Sequence, residues 1–205
     1  MQNTDDFIPV VIDSQLFDYE RLVDNGNEFL VRRFKATHDA DGLTKYFQKQ
    51  AKIDDAENYT RNYVVKFKGT ESVVAFFTLK AGAVPYTGAS DRLLISKDTK
   101  LVPGIELVNI ATNDIVARKT SELGIKVGEH IFHKIIEPVV LRISGELGVK
   151  VLYLFAANKR LADYYTSWGF STVEDSEYNE RLSAEWQNSY NSGCIFMYKP
   201  IAEIL

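Results

Sequence analysis

The stretch from Gly104 to Phe170 shows the clearest succession of apolar and polar segments in the chain. An apolar run at 105–111 predicts a buried strand, and a loop is predicted from there to Ile125. Apolar residues then recur at a spacing of four, on one face of a helix, at Val127, Ile131, Ile135, Val139 and Ile143. This helix is predicted to end near Gly148, with a kink at Pro138, because proline lacks an N–H and crowds the preceding turn.

A second strand and a second helix are predicted to follow directly. The run VLYLFA at 151–156 is apolar throughout and too short for a helix, which favours a buried strand. Asn158 is a residue type that caps helices, and Gly169 is the predicted end of the helix that follows.

The rest of the chain predicts mainly strands, with one early helix. A helix is predicted over 39–59, starting after Asp41, and residues 83–103 are predicted to be mostly loop. The turn signal Gly69-Thr70-Glu71 predicts an antiparallel hairpin. Alternating or apolar runs predict the remaining strands at 29–36, 62–69, 72–82 and 193–201.

Composition indicates one globular domain spanning 1–205. The 205 residues are 45% hydrophobic and 25% charged, and the net charge of −4 argues against a general nucleic-acid binder. A single cysteine, Cys194, excludes an internal disulfide and favours a reducing, cytoplasmic location. We expect no signal peptide and no membrane span, because the N-terminus is acidic and no apolar run approaches ~20 residues.

The glycines at 124 and 128 lie where a loop is predicted to run into a helix. The first N–H groups of a helix have no intrahelical partner, so a phosphate can accept hydrogen bonds from several of them. Glycine also lets the main chain approach a ligand closely. Many helix starts near glycine only pack, so the two glycines alone leave both interpretations open.

Two segments resemble coenzyme motifs of the GNAT superfamily of N-acetyltransferases, which use acetyl-CoA. The segment 158–170 is similar to a motif with an Asn, a Tyr seven positions on and Gly-Phe four positions further, matched by Asn158, Tyr165, Gly169 and Phe170. The segment 126–132 resembles the end of the pyrophosphate motif Arg/Gln-x-x-Gly-x-Gly/Ala. Gly128 matches its last position, whereas Lys126 and Leu123 replace the first Gly and the Arg/Gln. The resemblance covers about 61–200.

The resemblance implies a fold and a set of coenzyme-binding residues. The fold is α/β (α+β), a single GNAT-like domain with a mixed, mostly antiparallel twisted sheet of six or seven strands and helices on both faces. Its coenzyme-binding core is 104–170, where two central strands splay apart. The resemblance implies pantetheine contacts from the main chain of Ile110, Ala111 and Thr112. It implies pyrophosphate and further coenzyme contacts from Lys126, Val127, Gly128, Glu129, His130 and Asn158.

Glu106 is a carboxylate on an otherwise apolar strand. If it is buried, its pKa should rise, as suits a general base that deprotonates an ammonium. If it lies at an edge, it simply faces solvent, and strand alternation leaves both alternatives open. The resemblance implies a buried Glu106 that acts as the general base, either directly or through water.

Tyr165 is the second candidate catalytic residue. A phenol keeps its proton at pH 7 and can donate it to a leaving thiolate. On an amphipathic helix the same tyrosine could be a core aromatic, and the motif spacing favours the catalytic interpretation. His130 and His133 share one helix face, but no matching pair of ligands accompanies them, so we expect no metal.

The resemblance implies an N-acetyltransferase that moves the acetyl group of acetyl-CoA directly to a small-molecule or peptide amine. Acetyl-CoA would be a co-substrate, and a homodimer would be common for such proteins. One alternative is a catalytically weak or inactive CoA-binding regulatory or interaction module, which the departures in the pyrophosphate motif favour. Another is a toxin-like aminoacyl-tRNA acetyltransferase, which would need a local basic face.

Overall fold

The computed structural model describes residues 17–37, 40–85, 101–122, 126–173 and 193–204. The chain divides into two compact units. The first unit comprises Met1–Thr78 and Asn109–Ile135, and the second comprises Leu79–Val108 and Ile136–Leu205. None of the helices within the described ranges is long and apolar enough to cross a membrane.

Seven strands form one mixed sheet. They are β1 (Phe17–Arg21), β2 (Arg61–Phe67), β3 (Val73–Pro85), β4 (Leu101–Thr112), β5 (Val151–Ala156), β6 (Ser171–Thr172) and β7 (Ile195–Pro200). Their order is β1-β2-β3-β4-β5-β7-β6. The β1–β2, β5–β7 and β6–β7 pairs are antiparallel, whereas β4 and β5 are parallel. The predicted mixed sheet of six or seven strands is therefore confirmed.

The helices fall in three groups along the chain. The early group is α1 (Asp41–Lys45), a π-helical turn (Tyr46–Gln50) and α2 (Ala51–Ala56). The middle group is α3 (Asp114–Glu122), α4 (Val127–Ile131), a second π-helical turn (Phe132–Ile136) and α5 (Glu137–Leu147). The last helix of the described residues is α6 (Lys159–Thr166), and short 3₁₀ turns lie at Asn27–Phe29, Val31–Arg33 and Ile201–Glu203.

The predicted strand at 29–36 is wrong, because this segment forms two 3₁₀ turns and a single β-bridge at Ala36. Its buried residues Val31 and Phe34 are three positions apart, which suits a helical turn rather than a strand. The Phe34 ring packs against Phe47 at 5.0 Å and Phe76 at 5.3 Å between centroids. Packing in the core of the first unit therefore outweighs the weak alternation of the sequence.

The predicted loop from Asn113 to Ile125 is also wrong over most of its length, because α3 occupies it. The Asn113 side chain accepts a hydrogen bond from the Ile115 N–H at 3.2 Å, which caps the start of the helix. Val116 is buried, and Arg118 pairs with Asp114 one turn away. Residues 123–125 lie outside the described part of the chain.

The boundaries of the other strands and helices lie close to those predicted from the sequence. The hairpin of β2 and β3 is confirmed, with Gly69 at φ +71° in the turn. The long middle helix is confirmed and ends at Gly148, which has φ +64°. The helix departs from α-helical geometry in the π-helical turn just before Pro138. The predicted loop at 83–103 is shorter than expected, since β3 reaches Pro85 and β4 begins at Leu101, while 86–100 lie outside the described residues.

A buried lysine holds the end of α6 within the second unit. Lys199 on β7 is 7% exposed, and its ammonium donates to the Glu137 carboxylate and, at 2.8 Å, to the Trp168 carbonyl. Gly169, at φ +89°, leaves room for this side chain, since a Cβ there would lie 3.0 Å from the lysine Nζ. One ammonium therefore ties β7, the start of α5 and the residues that follow α6.

We predict that Lys199→Met lowers the free energy of unfolding by about 3–5 kcal/mol, because it removes one partner of a buried ion pair. Urea denaturation at neutral pH measures the loss. Lys159→Met is the matched control, since Lys159 and Asp163 form an exposed pair at 2.8 Å, worth about 1 kcal/mol or less. Equal losses in the two variants would contradict the role assigned to Lys199.

Candidate active site

The parallel pairing of β4 and β5 is short and ends at Glu106. The register joins Gly104 to Val151, Ile105 to Leu152 and Glu106 to Tyr153, although β4 has 12 residues and β5 has 6. This register gives Leu107 and Val108 no partner on β5. Val108 is also partly exposed, unlike the residues from Gly104 to Leu107. Glu106 therefore lies where the pairing of the two central strands stops.

The Glu106 carboxyl group is buried, so the interpretation that it faces solvent is wrong. Glu106 is 1% exposed, and its Oε2 lies 3.8 Å from the ammonium of Lys80 on β3, whose side chain is 43% exposed. Burial raises the pKa of Glu106, and the positive charge of Lys80 and the hydroxyl of Tyr153 only partly offset this effect. Of the two alternatives that the sequence left open, the structure shows the buried one.

Tyr153 on β5 stands beside Glu106 in a slot formed by two glycines. A Cβ at Gly82 would lie 2.0 Å from the Tyr153 hydroxyl oxygen, and a Cβ at Gly104 would lie 3.0 Å from its ring. The tyrosine is fully buried, and burial together with the charge of Glu106 raises the pKa of its hydroxyl well above the ordinary value. The hydroxyl therefore stays protonated and can act as a donor.

Sequence reasoning missed both Lys80 and Tyr153. Glycines inside strands often mark a close approach of another group, and Gly82 and Gly104 were such a signal. Tyr153 is also the one side chain with a polar group in the run VLYLFA. Neither signal identifies Glu106 as the neighbour of Tyr153, because predicting that contact requires the register between β4 and β5.

Asn158 and Tyr165 lie on the same helix, α6. The predicted cap is confirmed, because the Asn158 Oδ1 accepts a hydrogen bond from the Leu161 N–H at 3.0 Å. The Tyr165 ring packs against Trp168 at 5.2 Å and Phe170 at 6.2 Å between centroids. Burial, and to a smaller extent Tyr164, raise the pKa of Tyr165 to about 12, so its proton is present at neutral pH. The contacts of Tyr165 are thus aromatic, whereas those of Glu106 are with Lys80 and Tyr153.

The segment from Lys126 to His130 forms the start of α4. The first intrahelical hydrogen bond runs from the His130 N–H to the Lys126 carbonyl at 3.1 Å, and the side chain of the N-cap residue Lys126 makes no capping bond. The main-chain N–H groups of Val127, Gly128 and Glu129 therefore precede the intrahelical bonds, as an anion site requires. Lys126 is exposed and pairs with Glu129 at 3.3 Å, so an anionic ligand would compete with Glu129 for that ammonium.

The other predicted coenzyme contacts lie at the end of β4. Ile110 and Thr112 are partly exposed, whereas Ala111 is buried in the hydrophobic cluster of the first unit. The Thr112 carbonyl already accepts a hydrogen bond from the Thr37 N–H at 3.1 Å. A further donor at Thr112 would have to use the remaining lone pair of that oxygen.

The two neighbouring histidines have separate aromatic neighbours. His130 packs against Phe17 at 5.7 Å between centroids, and His133 packs against Phe132 at 5.1 Å. In the part of the chain that the structure describes, no group of three His, Cys, Asp or Glu residues is arranged to hold a metal ion.

Comparison with known proteins identifies the fold. Neither the family models nor the curated proteins include a match to this sequence. Among solved structures, a tyrosine-to-phenylalanine mutant of KacT is similar, with a TM-score of 0.67 and 17% identity over 92% of this chain and 97% of that one. AtaT complexed with acetyl-methionyl-tRNAfMet gives a TM-score of 0.63 and 18% identity over 92% and 96% of the two chains.

A third similar structure is a tyrosine-to-phenylalanine mutant of the AtaT toxin bound to the C-terminus of the antitoxin AtaR and to acetyl-CoA. Its TM-score is 0.62, with 17% identity over 92% of this chain and 95% of that one. KacT and AtaT have the GNAT acetyltransferase fold, so the predicted GNAT-like fold is confirmed.

We predict that Glu106→Gln changes the pH dependence of stability. The folded pKa of Glu106 is raised above the ordinary 4.5, so the folded state holds this proton over a pH window in which the unfolded state has released it. Wild-type stability should therefore fall as the pH rises from 4.5 through the folded pKa, and the variant should lack this contribution. Urea denaturation at pH 4.5 and pH 8 should show a larger gain from the substitution at pH 8.

The control for this experiment is Glu146→Gln, at an exposed position of α5. It should leave the difference between the two pH values as in the wild type. A Glu106→Gln variant whose stability curve runs parallel to that of the wild type would show that the carboxyl group carries no raised pKa.

Proposed function

We propose that this protein is an N-acetyltransferase that transfers the acetyl group of acetyl-CoA directly to an amine. The observation that carries the proposal is the buried Glu106 carboxyl group, with a raised pKa, on the central strand β4 of a GNAT fold. A carboxylate costs free energy when it is buried, and active sites are common places for such a cost. The amine acceptor is a small molecule or a peptide.

Each candidate residue has a separate role in this reaction. Glu106, or a water molecule that it orders, accepts the proton of the acceptor ammonium, and its raised pKa suits it to be a base near neutral pH. The freed amine nitrogen forms a bond to the acetyl carbonyl carbon, and the carbon–sulfur bond breaks. Tyr165 donates its hydroxyl proton to the departing thiolate, and the second proton that the nitrogen loses on becoming an amide returns the Tyr165 phenolate to the phenol. Much of the rate would come from positioning of the reactants.

The start of α4 fits the pyrophosphate of the coenzyme. The N–H groups of 127–129 lack intrahelical partners, and Lys126 adds a positive charge beside them. The main chain of Ile110, Ala111 and Thr112 would pair with the pantetheine arm in the manner of an added strand. His130 and Asn158 complete the proposed contacts, Asn158 through the amide nitrogen that its capping bond leaves available. Acetyl-CoA supplies the activated acetyl group, and no metal takes part.

We predict that Gly128→Glu lowers the affinity for acetyl-CoA by at least tenfold, because it places a carboxylate beside the N–H groups that would meet the pyrophosphate. Calorimetric titration of acetyl-CoA and of free coenzyme A into the purified chain measures this loss. Gly145→Glu is the matched control, since a Cβ at Gly145 meets no atom within 4 Å, and it should bind like the wild type. Wild-type binding that survives Gly128→Glu would remove the start of α4 from the site.

We predict that Tyr165→Phe lowers kcat by about 10² or more while coenzyme affinity stays nearly unchanged, because the thiolate loses its proton donor. Release of free coenzyme A, followed with a thiol reagent, measures kcat against a panel of amines and peptides. Tyr164→Phe is the control, because residue 164 faces about 100° away on the helix, and it should keep most of the activity. An unchanged kcat in Tyr165→Phe would exclude this tyrosine from the reaction.

A second candidate acceptor is aminoacyl-tRNA, as in a toxin-like acetyltransferase. The observation that favours it is the similarity of the fold to AtaT, which was solved with acetyl-methionyl-tRNAfMet. Adding aminoacyl-tRNAs to the acceptor panel separates the two proposals in one assay. Growth arrest on expression, abolished by Tyr165→Phe, would support the tRNA acceptor.

The remaining alternative is a module that binds coenzyme A without catalysis. Binding that is lost in Gly128→Glu, together with no turnover on any acceptor, would favour that alternative. In either case we take the chain to be one domain over 1–205 that acts in the cytoplasm, as its composition and its single cysteine indicate. The same proposal is compatible with a homodimer.

A further inference from the structure

We infer that Tyr153 is a positioning residue for Glu106, held by Gly82 and Gly104 so that its hydroxyl group lies on the same face of the sheet as the carboxyl group. The inference deepens the proposed function, since Glu106 is the base of that reaction. It assigns a role to a residue that would otherwise count as part of the hydrophobic core.

The placement of the two side chains follows from the parallel register. Glu106 and Tyr153 are paired residues on β4 and β5, and paired residues of neighbouring strands project from the same face of a sheet. Both side chains are buried, at 1% and 0% exposure. The tyrosine hydroxyl is therefore kept beside the carboxyl group in a place that bulk water does not reach.

The slot around the tyrosine ring is specific in shape. Val151 and the Tyr153 ring lie so close to Gly104 that a Cβ there would be 2.8 Å from the valine and 3.0 Å from the ring. At Gly82 a Cβ would be 2.0 Å from the hydroxyl oxygen but 3.1 Å from the ring carbon that bears it. The glycine on β3 thus makes room mainly for the hydroxyl group, which a purely structural aromatic residue would not need.

Among the described residues, two titratable groups act on Glu106, Lys80 from β3 and Tyr153 from β5. The Lys80 ammonium lies 3.8 Å from the Glu106 carboxylate and its side chain is half exposed. Burial and Glu106 itself raise the pKa of Tyr153, so the phenol does not add a negative charge at neutral pH. The tyrosine hydroxyl can therefore donate toward Glu106, and this lowers the pKa of the carboxyl group by favouring the ionised form that a base requires.

Tyr153→Phe tests the inference without disturbing the packing of the ring. The carboxyl titration of Glu106 is followed by ¹³C NMR in glutamate-labelled protein and assigned with Glu106→Gln. Loss of the donor should shift the Glu106 titration to higher pH. In turnover assays the acidic limb of the pH–rate profile should move in the same direction, with the KM for acetyl-CoA unchanged.

Tyr198→Phe is the control for this substitution. Tyr198 on β7 pairs with Tyr153 and belongs to the same hydrophobic cluster, so its variant removes a neighbouring hydroxyl from the same core. It should leave the Glu106 titration in place. An identical Glu106 titration in the wild type and in Tyr153→Phe would overturn the inference.

Gly82→Ala supplies an independent test, because its Cβ would displace the Tyr153 hydroxyl. Alone it should shift the Glu106 titration to higher pH, as Tyr153→Phe does. In the Tyr153→Phe background it should add little further shift, because the atom that it displaces is gone. Shifts that simply add would show that the slot serves packing and not the hydroxyl group.

The NMR titration needs no acceptor substrate, so the two proposals can fail separately. A shifted titration with no acetyl transfer on any amine would retain the pairing of Tyr153 with Glu106 and remove the proposed reaction. Acetyl transfer with an unshifted titration would retain the reaction and remove Tyr153 from it.

Discussion

The burial of one carboxyl group in the middle of a sheet constrains the structure around it. An isolated charge in such a place is unfavourable, and the protein lessens the cost with a lysine at 3.8 Å and a tyrosine hydroxyl rather than with a close ion pair. A closer partner would hold the carboxylate ionised and make it a weaker base. Lys80 and Tyr153 offset the effect of burial only in part, so the pKa of Glu106 stays raised. Glycine at position 82 on β3 and at position 104 on β4 makes room for the Tyr153 side chain. The burial of Glu106 therefore accounts for Lys80 and Gly82 on β3, Gly104 on β4 and Tyr153 on β5.

The elements that the sequence predicted correctly are those with strong local signals. The strand at 151–156 is apolar throughout, Asn158 caps the start of α6, and Gly169, at φ +89°, lies three residues after its end at Thr166. The segments at 29–36 and 113–125 have weak signals, and their structures depend on distant partners. Phe34 belongs to an aromatic cluster with Phe47 and Phe76, contacts that no local pattern reveals. The helix α3 has few apolar residues, so its periodicity is faint.

The candidate site was predictable only in part, for a related reason. The identity of Glu106 is visible in the sequence, but the side of the strand it faces depends on which strands flank β4. Tyr153 and Lys80 become its neighbours only through the pairing of β4 with β5 and the order of the sheet. The roles proposed for 110–112 and 127–129 rest on main-chain groups, which any side chain would permit. A sequence can indicate such a site through glycine and motif spacing, but it does not identify the partners of each atom.

The contact between Lys199 and the end of α6 has a consequence for the order in which the protein is made. The ammonium that holds the Trp168 carbonyl comes from β7, which is synthesised after α6 and after every other strand of the sheet. Domains emerge from the ribosome N-terminus first, so α6 leaves the ribosome before this tether exists. A nascent chain therefore contains Tyr165 before it contains the residue that fixes the end of its helix. The end of α6 is therefore fixed only once β7 has been made.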